Sequence, residues 1–157
     1  MASLRETLTS AGFSDVATYI QSGNVVLTST SRSEAAVAKR AEAAIADATG
    51  HDVPVLVRTP AALKSVVAHQ SLGRRHDAKS LHVTFLAEKP SAARVRAVDS
   101  TRYLPDEFAV AGREVYLACP NGYGRTKLTN AFFERALHTV ATTRNWNTVQ
   151  KLLALVS

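Results

Sequence analysis

The sequence predicts an α+β protein built from two small subdomains. Three observations carry that prediction. Helical and strand patterns alternate along the 157 residues, glycines stand where turns are needed, and one stretch without periodicity, residues 71–80, separates halves of similar pattern.

The elements follow in order. Ser3 and Glu6 have capping-box spacing, Leu4, Leu8 and Ala11 share a helical face, and Gly12 suits the position past a helix end, so a helix is predicted over 3–11. Two β-branched or aromatic runs, 16–20 and 25–28, flank Ser22-Gly23-Asn24 and predict a hairpin. Val37, Ala41, Ile45 and Ala48 recur at helical spacing, which with Gly50 predicts a helix over 33–49. "VPVLVR" (53–58) reads as a short buried strand, and Thr59-Pro60 as the start of a helix reaching residue 69.

Beyond the aperiodic stretch, whose Arg74, Arg75 and His76 are expected to be solvated, "LHVTFL" (81–86) predicts a strand and 90–99 a short helix. Residues 107–119 divide at Ala111-Gly112-Arg113 into a second hairpin. Leu128, Phe132, Ala136 and Val140 predict one helix, and Val149, Leu152, Leu153 and Val156 another. Both halves resemble the βαββαβ order of a ferredoxin-like unit. The first (1–70) has no opening strand, and the second (81–157) has a helix where its last strand belongs. The absent strand predicts a position left open or filled from outside, with self-association or a rearranged hairpin as ways to cover it.

Composition narrows the function classes. A 46% hydrophobic chain of this length can bury a core, and no segment approaches the ~20 apolar residues of a membrane span. The start, MASLRETLTS, has no apolar core of the secretory kind, so a cytoplasmic protein is expected. Cys119 is the single cysteine and the five histidines show no ligand spacing, so neither a disulfide framework nor a metal site is expected, and no cofactor is implied. The net charge of +6 gathers at the C-terminal end, where residues 120–157 carry five Lys/Arg against Glu134 alone. An anionic partner is one reading of that excess.

The stretch "CPNGYGRTKLTN" (119–130) is the strongest candidate site. It has neither the Gly-x4-Gly-Lys-Ser/Thr spacing of a Walker A loop nor the three glycines of a dinucleotide fingerprint. A strand ending at Cys119, a glycine loop and a helix opening near Thr126 would still aim free N–H groups into the loop. Arg125 and Lys127 oppose the helix dipole there, which makes sense if an anion lies between. Gly122, Gly124, Arg125, Thr126, Lys127 and, from a return segment, Arg144 are the expected ligand-binding residues. Gln21, Ser22 and Asn24, and Asn145 with Trp146, are weaker candidates, since a hairpin turn and a helix cap over a packed indole account for them.

"GFSDVATYIQSGNVVLTS", "LHVTFL", "VYLACPNGYGRTKLTN" and "TTRNWNTVQKLLAL" together resemble the domain of unknown function 1697 family, in matching order and separation. The resemblance implies two ferredoxin-like subdomains and no assigned activity. Members of that family begin with a further strand and a glycine-containing turn, and this sequence starts after it. The favoured partner is a phosphate-bearing small molecule. Alternatives are RNA stacked on sheet aromatics (Tyr19, Phe85, Phe108, Tyr116) and a scaffold without ligand; no reaction is assigned.

Overall fold

A computed structural model describes residues 2–19 and 23–157, without the side chains of Ala2 and Ser3. The Ser3 capping box therefore lies outside the described residues, as do Gln21 and Ser22. The fold is α+β with two separate antiparallel sheets. Two compact units divide the chain: unit 1 comprises Met1–Pro60 with Leu152–Ser157, and unit 2 Ala61–Lys151. Residues 71–80, read from sequence as the linker, thus fall inside unit 2.

Unit 1 runs α1 (Ala2–Ser10), β1 (Ser14–Tyr19), β2 (Asn24–Thr28) and α2 (Glu34–Thr49). Gly12 (φ 100°) and Gly23 (φ 89°) take the positive φ that the turns require. β1 and β2 pair antiparallel, with a register shift between Ser14 and Ala17 where Asp15 adopts φ 52°. The Ser33 hydroxyl accepts the Ala36 N–H at 3.1 Å to start α2, and Gly50 ends it in the left-handed region. Leu8, Phe13, Val16, Val37 and Ala41 form the core, with Val25, Leu27, Val55 and Val57 packed on it.

Residues 53–58 are not a strand, contrary to the sequence reading. Val55 and Val57 do face the core, so the period-2 signal was real. Strand character, however, needs a neighbouring backbone. Among the described residues 53–57 make no backbone–backbone hydrogen bond, and the Val55 N–H donates instead to Glu42 Oε2 at 2.9 Å. Pro54 also removes a donor.

Unit 2 contains most of α3 (Pro60–Ala68), two short 3-10 turns (Leu72–Arg74 and Ala78–Ser80), β3 (Leu81–Leu86), α4 (Ala92–Ala97), β4 (Glu107–Ala111), β5 (Glu114–Ala118), a 3-10 turn (Tyr123–Arg125), α5 (Asn130–Leu137), β6 (Ala141–Asn145) and the start of α6 (Trp146–Val156). From β3 to β6 the element order is βαββαβ, and the sheet order is β4-β5-β3-β6, every neighbour antiparallel. β6 stands in the last-strand place where the sequence reading put a helix, and the expected C-terminal helix follows it as α6. "ATTRN" is too short and polar to look like a strand, yet it pairs from His82↔Asn145 to Leu86↔Ala141 along an otherwise buried β3.

The sheet has two covered faces. Leu86, Val115 and Leu117 pack with Leu128, Phe133 and Leu137 from the α5 side, where Phe108 meets Phe133 edge-on at 5.6 Å. On the other face the Tyr116 hydroxyl donates to the Val66 carbonyl of α3 at 2.7 Å, and burial pushes its phenol up to about 12. Phe85 and Tyr116 are buried, so they offer no open stacking platform. Arg75 and His76 are not simply solvated either: both side chains bond the Glu107 carboxylate at the head of β4.

Candidate functional site: a basic cleft at one end of the sheet

The β4–β5 register decides what meets at this end. Glu107 stands opposite Ala118, so the chain entering β4 lies beside the chain leaving β5. Arg102, Tyr103 and Asp106 from the first segment and Asn121, Gly122, Arg125 and Lys127 from the second line a cleft of about 320 Å³. Arg102, Tyr103 and Lys127 also border a neighbouring hollow of about 410 Å³ that Phe132 and Arg135 complete. Four cations therefore gather around one aromatic pair, Tyr103 set edge-on to Phe132 at 5.1 Å.

The acids nearby are largely occupied. Asp106 Oδ2 accepts the Thr126 hydroxyl at 2.7 Å, and Glu134 Oε2 accepts the Ala141 N–H at 3.0 Å. Among the described residues none of Arg102, Arg125, Lys127 and Arg135 forms a salt bridge. Asp99 senses Arg102 only weakly: its carboxyl is held below the usual range chiefly by hydrogen bonds from Thr101.

The glycine loop differs from the sequence reading. α5 opens at Asn130, with the Thr129 hydroxyl accepting the Phe132 N–H, so no helix begins at Thr126. Gly122 (φ 94°) sets a tight turn whose N–H groups point inward. Gly122 donates to the Cys119 carbonyl, Arg125 to Gly122, and Thr126 to Tyr123. Thr126 is buried and structural, its Oγ1 also accepting the Leu128 N–H at 3.1 Å. Gly124 has open space around it but does not line the cleft.

Arg144 does not join them. The segment after α5 does run back as β6, and Thr143 Oγ1 reaches Asn130 Oδ1 at 2.6 Å. Neighbouring strand residues point to opposite faces. With Thr143 on the α5 face, Arg144 projects from the other one, in the row of Val83 and Tyr116. Its guanidinium bonds Thr142 Oγ1 (2.7 Å) and the Thr143 carbonyl (2.9 Å), and burial lowers its pKa.

The weaker candidates among the described residues, Asn24, Asn145 and Trp146, lie as follows. Asn145 Oδ1 caps α6 through the Thr148 N–H at 2.8 Å, Trp146 is buried, and Asn24 is buried in β2. Cys119 is 1% exposed, and burial pushes its thiol up to about 11. Next to the loop, Tyr123 stacks on His82 at 4.9 Å, and desolvation lowers the His82 pKa. No cluster of His, Cys, Asp and Glu among the described residues has the make-up of a metal site.

These features define an α+β protein with a cationic cleft at one end of its larger sheet. Its fold is similar to that of a conserved bacterial protein from Streptococcus pneumoniae, with a TM-score of 0.77 at 19% identity over 99% of this chain and 88% of that one. The chain belongs to the DUF1697 family, a protein family of unknown function whose model matches residues 1–116. Arg125, Lys127 and Arg135 lie beyond the matched span. No curated protein matches the chain, and no helix among the described residues is long and apolar enough to cross a membrane.

Proposed function

We propose that the protein binds a phosphate-bearing small molecule in the cleft between Arg102, Arg125 and Lys127, with Tyr103 as an apolar wall. The observation that supports this reading is the convergence, on two adjoining aromatic-lined hollows, of cations that form no salt bridge among the described residues. Like charges brought together repel one another, and an anion relieves that repulsion. Arg125 and Lys127 keep the role expected from sequence; Arg102 takes the place foreseen for Arg144. With a lone buried thiol and no disulfide partner in the sequence, we place the protein in a reducing compartment, the cytoplasm.

The test is a thermal-shift and calorimetry panel of inorganic phosphate, pyrophosphate, nucleotides, sugar phosphates, coenzyme A and a short RNA. One small phosphate compound should raise the melting temperature, with affinity falling as salt rises. A charge-assisted hydrogen bond is worth ~1.5–3 kcal/mol, so Arg102→Ala, Arg125→Ala or Lys127→Ala should each weaken binding roughly tenfold or more. Arg144→Ala should leave affinity unchanged. Silence across the panel, or a response to RNA alone, would sink the reading.

A further inference from the structure

The cleft at the sheet end is one of a pair. Arg102, Tyr103 and Lys127 border both hollows and so form the ridge between them. Each hollow also has a cation of its own, Arg125 from the loop after β5 in the first and Arg135 from α5 in the second. A phosphate group is four oxygens around one phosphorus. At about 320 and 410 Å³, each hollow has room for roughly ten waters or more at ~30 Å³ apiece, enough for a phosphate and part of the skeleton that carries it.

The ridge is anchored in the core. Tyr103 meets Phe132 edge-on at 5.1 Å, Phe132 meets Phe133 at 5.1 Å, and Phe133 meets Phe108 at 5.6 Å. Phe133 is completely buried. Edge-to-face contacts hold rings in set orientations, so this chain of rings carries the rigidity of the core out to the wall that the hollows share. Phe132 and Arg135, three residues apart on α5, lie on one helical face. The spacing of the hollows is thus set in advance, which favours a ligand whose own groups match it.

Charge leads to the same count. Four cations line the two hollows, and Asp106 is the acid among the described lining residues, which leaves three net positive charges. A phosphate monoester carries about −1.5 to −2 at neutral pH, so one leaves a cation unmatched and two bring the sum close to zero. Resting on the reading above that the cleft takes a phosphate-bearing small molecule, we infer that the ligand is a small organic bisphosphate with its phosphates on separate carbons, one in each hollow. Its skeleton crosses the ridge at Tyr103. Arg125 holds the first phosphate and Arg135 the second, while Arg102 and Lys127 serve both. Pyrophosphate does not meet this requirement, because its two phosphorus atoms share an oxygen and sit together in one hollow.

Calorimetry on the full chain at one salt concentration tests this with fructose 1,6-bisphosphate and hexane-1,6-diol bisphosphate, each beside its own monophosphate, and with pyrophosphate. At least one bisphosphate should bind about tenfold or more tighter than its monophosphate. It should also bind tighter than pyrophosphate, which packs similar charge into one compact group. Arg135 is exposed, and Arg135→Ala should bring the ratio of bisphosphate to monophosphate affinity down to near one. Arg135→Lys keeps the charge and should restore most of that ratio. Should the alanine variant not fold, the comparison with pyrophosphate in the unaltered protein still decides. Bisphosphates no tighter than their monophosphates, a ratio that survives Arg135→Ala, or pyrophosphate as the tightest ligand would overturn the two-hollow arrangement while leaving the phosphate site between Arg102, Arg125 and Lys127 standing. Silence from every phosphate compound would instead sink that site itself, and the second hollow's role with it.

Discussion

Unit 2 and unit 1 differ in what stands at the middle of their sheets. In unit 2 a fully buried strand bonds on both sides, and two helices and a third close over its faces. In unit 1 a hairpin and an apolar segment rest on one small cluster, and among the described residues no strand lies between them. Helix caps and turn glycines are as well formed in one as in the other, as Ser33 and Thr129 illustrate. Local signals therefore produce the elements, whereas a ladder needs a central backbone to which both neighbours can bond.

The largest expected effect comes from emptying the two cores in turn. Phe133→Ala should cost about 3–5 kcal/mol, the usual range for a buried aromatic, because its site is closed on every side. Phe13→Ala in unit 1 should cost less, since the smaller cluster around it can collapse. Urea denaturation of both variants measures the difference, and equal losses would break the contrast between the units.

A smaller effect should follow from Tyr116→Phe. It strands the Val66 carbonyl in a buried position, a loss of about 1–3 kcal/mol that should appear as a lower urea midpoint with an unchanged slope. A midpoint that does not move would mean that the α3 face is less tightly closed than the hydrogen bond suggests.

The mildest test is a pH dependence. The folded-state pKa of His82 lies below the ordinary histidine value of 6.5 because burial disfavours the charged ring. Above pH 6.5 both states hold a neutral ring, and its contribution is constant. Below that, the unfolded chain takes up the proton first, so stability falls with pH until the lowered folded-state pKa is reached. His82→Gln should flatten this slope below pH 6.5 in a thermal melt. A slope that persists in the variant assigns it to another group.

The elements legible in the sequence were those whose signals are local. "LHVTFL", the hairpin at Gly112 and the helix stop at Gly50 lie where periodicity and turn chemistry place them. The two errors, residues 53–58 and β6, both concern pairing with a distant partner. Residues 53–57 have the side chains of a strand but, among the described residues, no ladder, and "ATTRN" has the ladder without apolar side chains to advertise it. The cleft was half legible. Arg125 and Lys127 stood out in a glycine loop, but Arg102 and Tyr103 become visible only when the second hairpin is followed outward from its strand ends. Arg144 was misplaced because one residue of register, Thr143 against Arg144, decides which face of a sheet a side chain serves.

Cys119 closes the strand that leads into the glycine loop, and its burial has a practical consequence. The thiolate is the form that reacts with alkylating reagents. A thiol 1% exposed and titrating near 11 offers almost none at neutral pH while the sheet is shut. Being the chain's sole cysteine, it is a natural clock: in excess iodoacetamide the rate of its modification counts how often the end of β5 comes apart. A ligand seated between Arg125 and Lys127, a few residues along the chain, should slow that clock without any engineered label.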